Sequence, residues 1–540
     1  MLKAAIENNL NHSKLYTDFI AGHPFFKSLF PVNDKLQDKE YLKNTAESFA
    51  NRNATIKSIS ATMTDFILTE SQQENLNFLK QSNSLTVASG QEISFLGGPL
   101  FCFYKIQSSI QMAKDLKSKH PEMNFVPVFW LEDNDHDILE ASFANVLNAN
   151  YDLTETSSLC DSQHQSKDLT SKLRIPAELS QQLNALFNHL PNTPYKAETN
   201  KLYLDSYKAG TYCNHAFLTL LQNFFADEGI LFLSASKARE LGYSRFVALL
   251  EISNQWKSVE LISRTNKKLK DTGYHIQSKH SDVNLFYYFE NQKHRIEVSA
   301  TNDYIIRGKI IHQIDMTNEI IEHPERFAPN LMLRPLYQDT ILPNIAYIVG
   351  PSEIAFRCQV HNIYDAFAVR PPAIINRPHA LILNKEIENF LTANSLVPEM
   401  FFDSFDNIEQ SLLKISENNL SSDTLLDVRN SISDKVFGIK KQITDLSPDL
   451  ADNVDNFLYS LNKELDQLQV AINKTIKLKH ADLFNAYKKA YNWISPASNS
   501  QERTITPLNI ILCFGISGFK DILNELCKLP NNKLYIFGAE

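Results

Sequence analysis

The sequence predicts an α/β protein: an open, mostly parallel sheet with inserted connecting segments, and an α-helical coiled-coil hairpin in the C-terminal half. Three observations carry this. Ser84–Gln91 and Phe125–Leu131 are apolar runs separated by a Gly turn and an amphipathic stretch, which is the order of a βαβ unit. An apolar run, a Gly-Pro turn and a helical stretch recur in LPNIAYIVGPSEIAFRCQVHNIYDAF. From about residue 404 to 485 only Gly438 interrupts two sets of apolar residues at helical spacing, Ile432 to Leu446 and Leu458 to Ile472.

The elements follow in order. The first eighty residues read as helices, with YLKNTAESFANRN and ENLNFLKQS built from good helix formers. SLTVASGQ is a short strand entering a turn. Glycine is scarce, 14 in all, yet Gly90, Gly97 and Gly98 fall close together here. Pro99 suits the first turn of a helix, and Ile106, Ile110, Ala113 and Leu116 line one buried face of it. Residues 150–225 turn polar and then helical, and GILFLSAS at Gly229–Ser236 is a second core strand. Residues 260–335 mix a helix with short strands, NLFYYFE and HRIEVSA forming a hairpin. PAIINRPHALIL reads as one more strand with an exposed basic turn. A core over 1–400 thus carries inserts at 150–225 and 260–335. An antiparallel coiled coil spans 404–485, its two helices linked by SPDLADN. Residues 486–540, with ITPLNIILCFG and KLYIFG, return to the core as strand or buried segments.

Composition narrows the function classes. With 43% hydrophobic and 21% charged residues the 540-residue chain is of ordinary globular type. A net charge of -9 argues against a general nucleic-acid binder. No segment approaches the roughly 20 apolar residues that span a bilayer, and Glu7, Asn8 and Asn9 interrupt any signal-like start. The six cysteines form no C-x-x-C pair. A reduced, cytoplasmic protein is the expectation.

Four polar clusters, each following an apolar run, carry candidate chemistry. In FVPVFWLEDNDHDILEA the strand gives way to Asp135, His136 and Asp137, a carboxylate–imidazole group suited to acid–base work. Adjacent loop residues rarely bind one metal together, so no metal site is expected. SGQEISFLGGPLFCFYK offers a Gly turn before a helix and Lys105, without Walker A or G-x-G-x-x-G spacing. LRPLYQDTILPNIAYIVGPSEIAF offers Arg334, Gln338, Asp339 and Glu353. Asn376-Arg377-Pro378-His379 offers an arginine suited to a carboxylate or phosphate. Singly each also reads as a cap or a surface turn. Together they mark the strand ends where open α/β sheets bind ligands.

These motifs resemble the BshC family, to which the cysteine-adding step of bacillithiol biosynthesis is ascribed. The family's T-G-Q-Q…G-P-L-Y…Y-K pattern stands here as SGQE…GPLF…YK, and its P-V-F-W…D-H-D pattern as PVFWLEDNDHDILEA. Its R-P-x-x-Q-D/E…L-P-T…A-Y-V-x-G-P-G-E-I-A-Y pattern stands as RPLYQD…LPNIAYIVGPSEIAF, and its P-R element as INRPHA. The resemblance implies a Rossmann-like core, a coiled coil that forms a homodimer, and ligation of L-cysteine to the amine of glucosaminyl malate. It places Asp135, His136, Asp137 and Lys105 in catalysis and Gln91, Gly98, Gln338, Glu353 and Arg377 in substrate binding. In this reading Asp135 or His136 readies the amine, and Lys105 and Arg377 hold malate or phosphate oxygens. The Gly97-Gly98-Pro99 turn presents backbone amides. Whether ATP and Mg²⁺ take part stays open. The sequence departs from the pattern at Glu92, at Glu132-Asp133-Asn134 and at Ser352, which alters the charge beside the site. Two other readings stand beside the ligase: a metabolite-binding dimer without turnover, and a nucleotidyltransferase acting on a small acid.

Overall fold

A computed structural model of the chain describes residues 1–7, 12–134, 141–157, 169–279, 281–290, 292–416, 422–447 and 450–539. The chain divides into two compact units, one of residues 1–149, 153–384 and 502–540 and one of residues 150–152 and 385–501.

The larger unit is built on a five-stranded parallel sheet. Its strands are β2 (Ser84–Glu92), β3 (Asn124–Glu132), β4 (Leu231–Ser234), β5 (Asn344–Val349) and β6 (Ala373–Asn376), in the order β6-β5-β2-β3-β4. All nine residues of β3 and all six of β5 are buried, as the continuous apolar runs require of strands covered on both faces. Helix α2 (Phe101–Lys119) joins β2 to β3, and α5 (Pro351–Ala366) joins β5 to β6. From β2 the chain steps to β3; from β5 it steps the opposite way, to β6. Right-handed crossovers therefore put α2 and α5 on opposite faces. The strand order reverses between β2 and β5, which makes their carboxyl ends a topological switch point. Leu85, Val87, Leu116, Phe125, Ile345 and Ile348 pack around these strands in one core cluster.

A second sheet was not legible in the sequence. β1 (Leu2–Glu7) pairs antiparallel with β8 (Lys533–Phe537), which pairs parallel with β7 (His379–Ile382). The stretch PAIINRPHALIL is thus two strands in two sheets: β6 ends at Asn376 and β7 begins at His379. The Arg377-Pro378 turn between them is not exposed, since Arg377 is 1% accessible. The N-terminus likewise opens with β1 before its helices, of which the first is α1 (Lys14–Ile20). Of ITPLNIILCFG, the buried run from Pro507 to Leu512 is helical and opens α9 (Pro507–Leu526). In the insert, Leu285–Phe289 does pair with Gln292–Arg295, but Glu297–Val298 turns to pair with Tyr304–Ile306.

In the smaller unit, α6 (Ser422–Leu446) and α7 (Leu450–Lys479) form the hairpin. Lys440 pairs with Asp455 at 2.5 Å and Arg429 with Asp466, so early residues of one helix meet late residues of the other, an antiparallel arrangement. Val454 and Leu458 are buried.

Candidate functional site

Four of the expected residues, Gln91, Lys105, Glu353 and Arg377, meet at the switch point. Lys105, on the second turn of α2, is 1% exposed. Its Nζ donates to the Gly90 carbonyl, to Glu353 Oε2 at 2.9 Å and to Gln91 Oε1 at 3.4 Å. One ammonium from α2 therefore ties the end of β2 to the first turn of α5. Glu353 is held twice over, because Oε2 also accepts from the Gly350 amide at 2.9 Å in a capping-box geometry. Its side chain is 35% exposed, so it is Glu353 rather than Lys105 that faces solvent.

Arg377 lies beside this pair. A Cβ added at Gly350 would stand 3.5 Å from Arg377 Nε and 3.6 Å from Glu353 Oε2. The guanidinium donates through Nη2 to Glu502 Oε1 at 2.7 Å and lies 4.9 Å from the Phe101 ring centre. Glu502 is 2% exposed and also accepts from His379 at 2.8 Å; His379 in turn meets the Tyr16 hydroxyl at 2.7 Å. Burial raises the Glu502 carboxyl, but Arg377 and then His379 outweigh it and hold the group well below its ordinary value. Burial keeps His379 down, so Nδ1–H donates to the carboxylate while Nε2 accepts from Tyr16. The sequence offered no sign of Glu502 or Tyr16, which reach this network from opposite ends of the chain.

The other expected residues are placed differently. Gly98 adopts φ +71°, and a Cβ there would stand 2.8 Å from Ser94 Cβ, so a side chain is excluded both by conformation and by space. The turn amides are already engaged: Gly97 donates to Tyr207 Oη at 3.2 Å, Gly98 to the Phe95 carbonyl and Leu100 to the Ile505 carbonyl. Gln338, on α4 (Arg334–Ile341), is buried with Nε2 3.3 Å from Asp339 Oδ1. Asp339 also accepts from Asn344 at 2.9 Å, at the amino end of β5. The contacts of Gln338 therefore lead away from the Lys105–Glu353 pair. Asp135, His136, Asp137 and Glu140 lie outside the described residues.

Of the departures from the family pattern, Glu92, Glu132, Asp133 and Asn134 find their partners here. Glu92 and Glu132 are register neighbours at the carboxyl ends of β2 and β3. Arg334 bridges them, at 3.0 Å to Glu92 Oε1 and 3.2 Å to Glu132 Oε2. Burial raises the Glu132 carboxyl, and Arg334 opposes that rise. Asp133 is 0% exposed. It accepts from Asn214 on α3 (Cys213–Phe225), from the Ser234 and Ser236 hydroxyls and from the Ser236 amide, at 2.7 to 3.0 Å. Asn134 takes Arg239 Nε at 3.0 Å on its side chain and the Tyr288 hydroxyl at 2.7 Å on its carbonyl. All three side chains that lead into Asp135 are consumed in buried networks. Cys102 and Cys358 are buried, and burial pushes the Cys102 thiol up to about 12, which leaves it inert.

An open parallel sheet with polar side chains gathered at its switch point is the architecture of a Rossmann-like protein. The chain belongs to the BshC family. The family described as "Bacillithiol biosynthesis BshC, N-terminal Rossmann-like domain" matches residues 1–378, and "Bacillithiol biosynthesis BshC, C-terminal coiled-coil domain" matches residues 380–536. A relative from Chloroherpeton thalassium is 28% identical over 468 residues, covering 84% of this chain and 82% of its own. One from Flavobacterium psychrophilum is 28% identical over 510 residues, 91% of each chain. One from Salinibacter ruber is 24% identical over 506 residues, 92% of this chain and 90% of its own. Each of these relatives bears the name "Putative cysteine ligase BshC".

Proposed function

We propose that the protein is a cysteine ligase that joins the carboxyl group of L-cysteine to the amine of glucosaminyl malate, forming bacillithiol. The observation that carries this is the convergence of Gln91, Lys105, Glu353 and Arg377 on the switch point of a BshC-family chain. Amide formation from a free carboxylate is uphill in water, so activation by Mg-ATP fits the reaction. In this reading Asp135, His136 and Asp137 orient the amine and take its proton, because only the neutral amine attacks. Lys105 serves by locking Glu353 in place. Arg377 stabilises negative charge that develops beside Gly350. The coiled coil forms a homodimer, a reading supported by its accessible Phe437, Phe457, Tyr459 and Val470. Among the described residues no helix is long and apolar enough to cross a membrane, which accords with a cytoplasmic setting.

The test is a mass-spectrometric assay of the purified chain with glucosaminyl malate and L-cysteine, with and without Mg-ATP. Product formed only with ATP is the expected result. Tight binding of glucosaminyl malate with no product under either condition favours a metabolite-binding dimer. ATP–pyrophosphate exchange driven by a small acid, without amide formation, points to a nucleotidyltransferase.

A further inference from the structure

Among the described residues, three arginines near the switch point are answered by carboxylates. Arg377 meets Glu502, Arg357 meets Asp339, and Arg334 meets Glu92 and Glu132. Arg503, on α8 (Gln501–Thr504), is exposed, and its guanidinium makes no hydrogen bond or ion pair with the described residues. It is nonetheless close to Arg377. The Phe101 ring that lies 4.9 Å from the Arg377 guanidinium lies 5.8 Å from that of Arg503. Glu502 supplies one negative charge to these two positive ones and is already spent on Arg377 and His379. Glu353, the other carboxylate that Arg503 feels, is balanced by Lys105.

A second observation points to the same place. Arg377 is 1% exposed, and its Nε has no acceptor among the described residues. That N–H lies against Gly350, which caps the amino end of the 16-residue helix α5. A buried donor without a partner costs free energy that an incoming oxygen would recover. The amino end of a helix adds positive potential. An unanswered guanidinium, an unpartnered buried N–H and a helix amino end thus lie close together, with Glu353 Oε2 3.6 Å from the point where a Gly350 Cβ would stand.

We propose that Arg503, with Arg377 Nε and the amino end of α5, forms an oxyanion subsite of the cleft that takes a carboxylate or phosphate group of a substrate. This rests on the ligase reading, in which two groups have that chemistry: the malate carboxylates of the acceptor and the phosphates of the nucleotide. Arg503 is a binding residue in this scheme, and Glu502 is the positioning residue that orients Arg377.

Calorimetry on the full chain tests it, with glucosaminyl malate, glucosamine and Mg-ATP as separate probes against wild type, Arg503→Gln and Arg503→Lys. Arg503 is exposed, so both variants should keep the wild-type melting temperature. Arg503→Gln should weaken glucosaminyl malate roughly tenfold to a hundredfold, the size of a lost hydrogen bond to a charged group. Arg503→Lys should recover part of this, and glucosamine should be unaffected. The same loss on Mg-ATP in place of glucosaminyl malate keeps the subsite and assigns it to phosphate. Wild-type affinity of Arg503→Gln for both probes, or no binding of either by wild type, overturns the subsite. The ligase reading is judged separately by wild-type product. Product with unchanged Arg503→Gln binding sinks the subsite alone. Weakened binding in that variant without any wild-type product sinks the ligase alone.

Discussion

Lys105 and Glu353 illustrate how burial sets the worth of a charge. The lysine is 1% exposed and the glutamate 35%. Removing the lysine leaves a carboxylate that water can reach. Removing the glutamate's charge leaves an ammonium among neutral oxygens. Lys105→Met should therefore cost about 1 kcal/mol of stability and Glu353→Gln about 3 kcal/mol, read by urea unfolding. The reverse order would show that the pair is not held as described. The imidazoles nearby set a pH dependence. Burial, then the charge of His379, hold the His12 pKa at about 4 instead of 6.5, and burial lowers that of His379. The unfolded chain then binds more protons than the folded one below pH 6.5, so stability is complete above that pH and falls on acidification towards 4. Glu502, depressed in the fold, adds a loss at lower pH still, once the carboxyl protonates. His12→Gln should flatten the first part of the curve, and a denaturation midpoint that stays level between pH 6.5 and 4 would refute the assignment.

At the scale of elements, the two glycine turns do different work. Gly98 supplies a conformation, φ +71°, whereas Gly350 has φ -98° and supplies only space. Gly98→Ala should cost about 1–2 kcal/mol or more, from strain and the contact with Ser94. Gly350→Ala should leave stability within about 0.5 kcal/mol, since the backbone is ordinary and the nearest atoms stand at van der Waals distance. Its methyl would nevertheless occupy the position in front of Arg377 Nε. A fall in kcat/KM of roughly tenfold or more, which is about 1.4 kcal/mol of transition-state stabilisation, is expected in the ligase assay. Full activity in Gly350→Ala would remove the space beside α5 from the site. The exit of β3 follows a related logic. Glu132, Asp133 and Asn134 are each bound to a neighbouring element, which fixes the direction in which the chain leaves the sheet before Asp135.

For the whole molecule, the hairpin presents apolar side chains to solvent that its own two helices do not cover. Phe437 is 65% and Val470 66% exposed. A homodimer would bury them. Phe437→Glu with Val470→Glu should convert a dimer to a monomer in light scattering without lowering the helix content. A wild-type chain that runs as a monomer would overturn that reading.

What the sequence by itself determined is local. The βαβ unit, the Gly turn, the Lys105 helix and the heptad hairpin follow from periodicities of two to seven residues, which depend on a side chain's near neighbours alone. The motifs also placed Gln91, Lys105, Glu353 and Arg377 at strand ends, and the fold brings these four to one point. The tertiary structure decided the rest. Arg377 reads as an exposed basic turn until Glu502, far along the chain, buries it. β1 stays hidden because its partner β8 lies at the opposite end of the sequence. Gln338 shares a motif with the site yet is buried against Asp339, which Asn344 holds at the amino end of β5, a pairing the motif does not reveal. The departures at Glu92 and Glu132 look like added charge until Arg334 bridges them. In each case the deciding term is a long-range pairing or a desolvation, and neither leaves a periodic trace in the sequence around the residue.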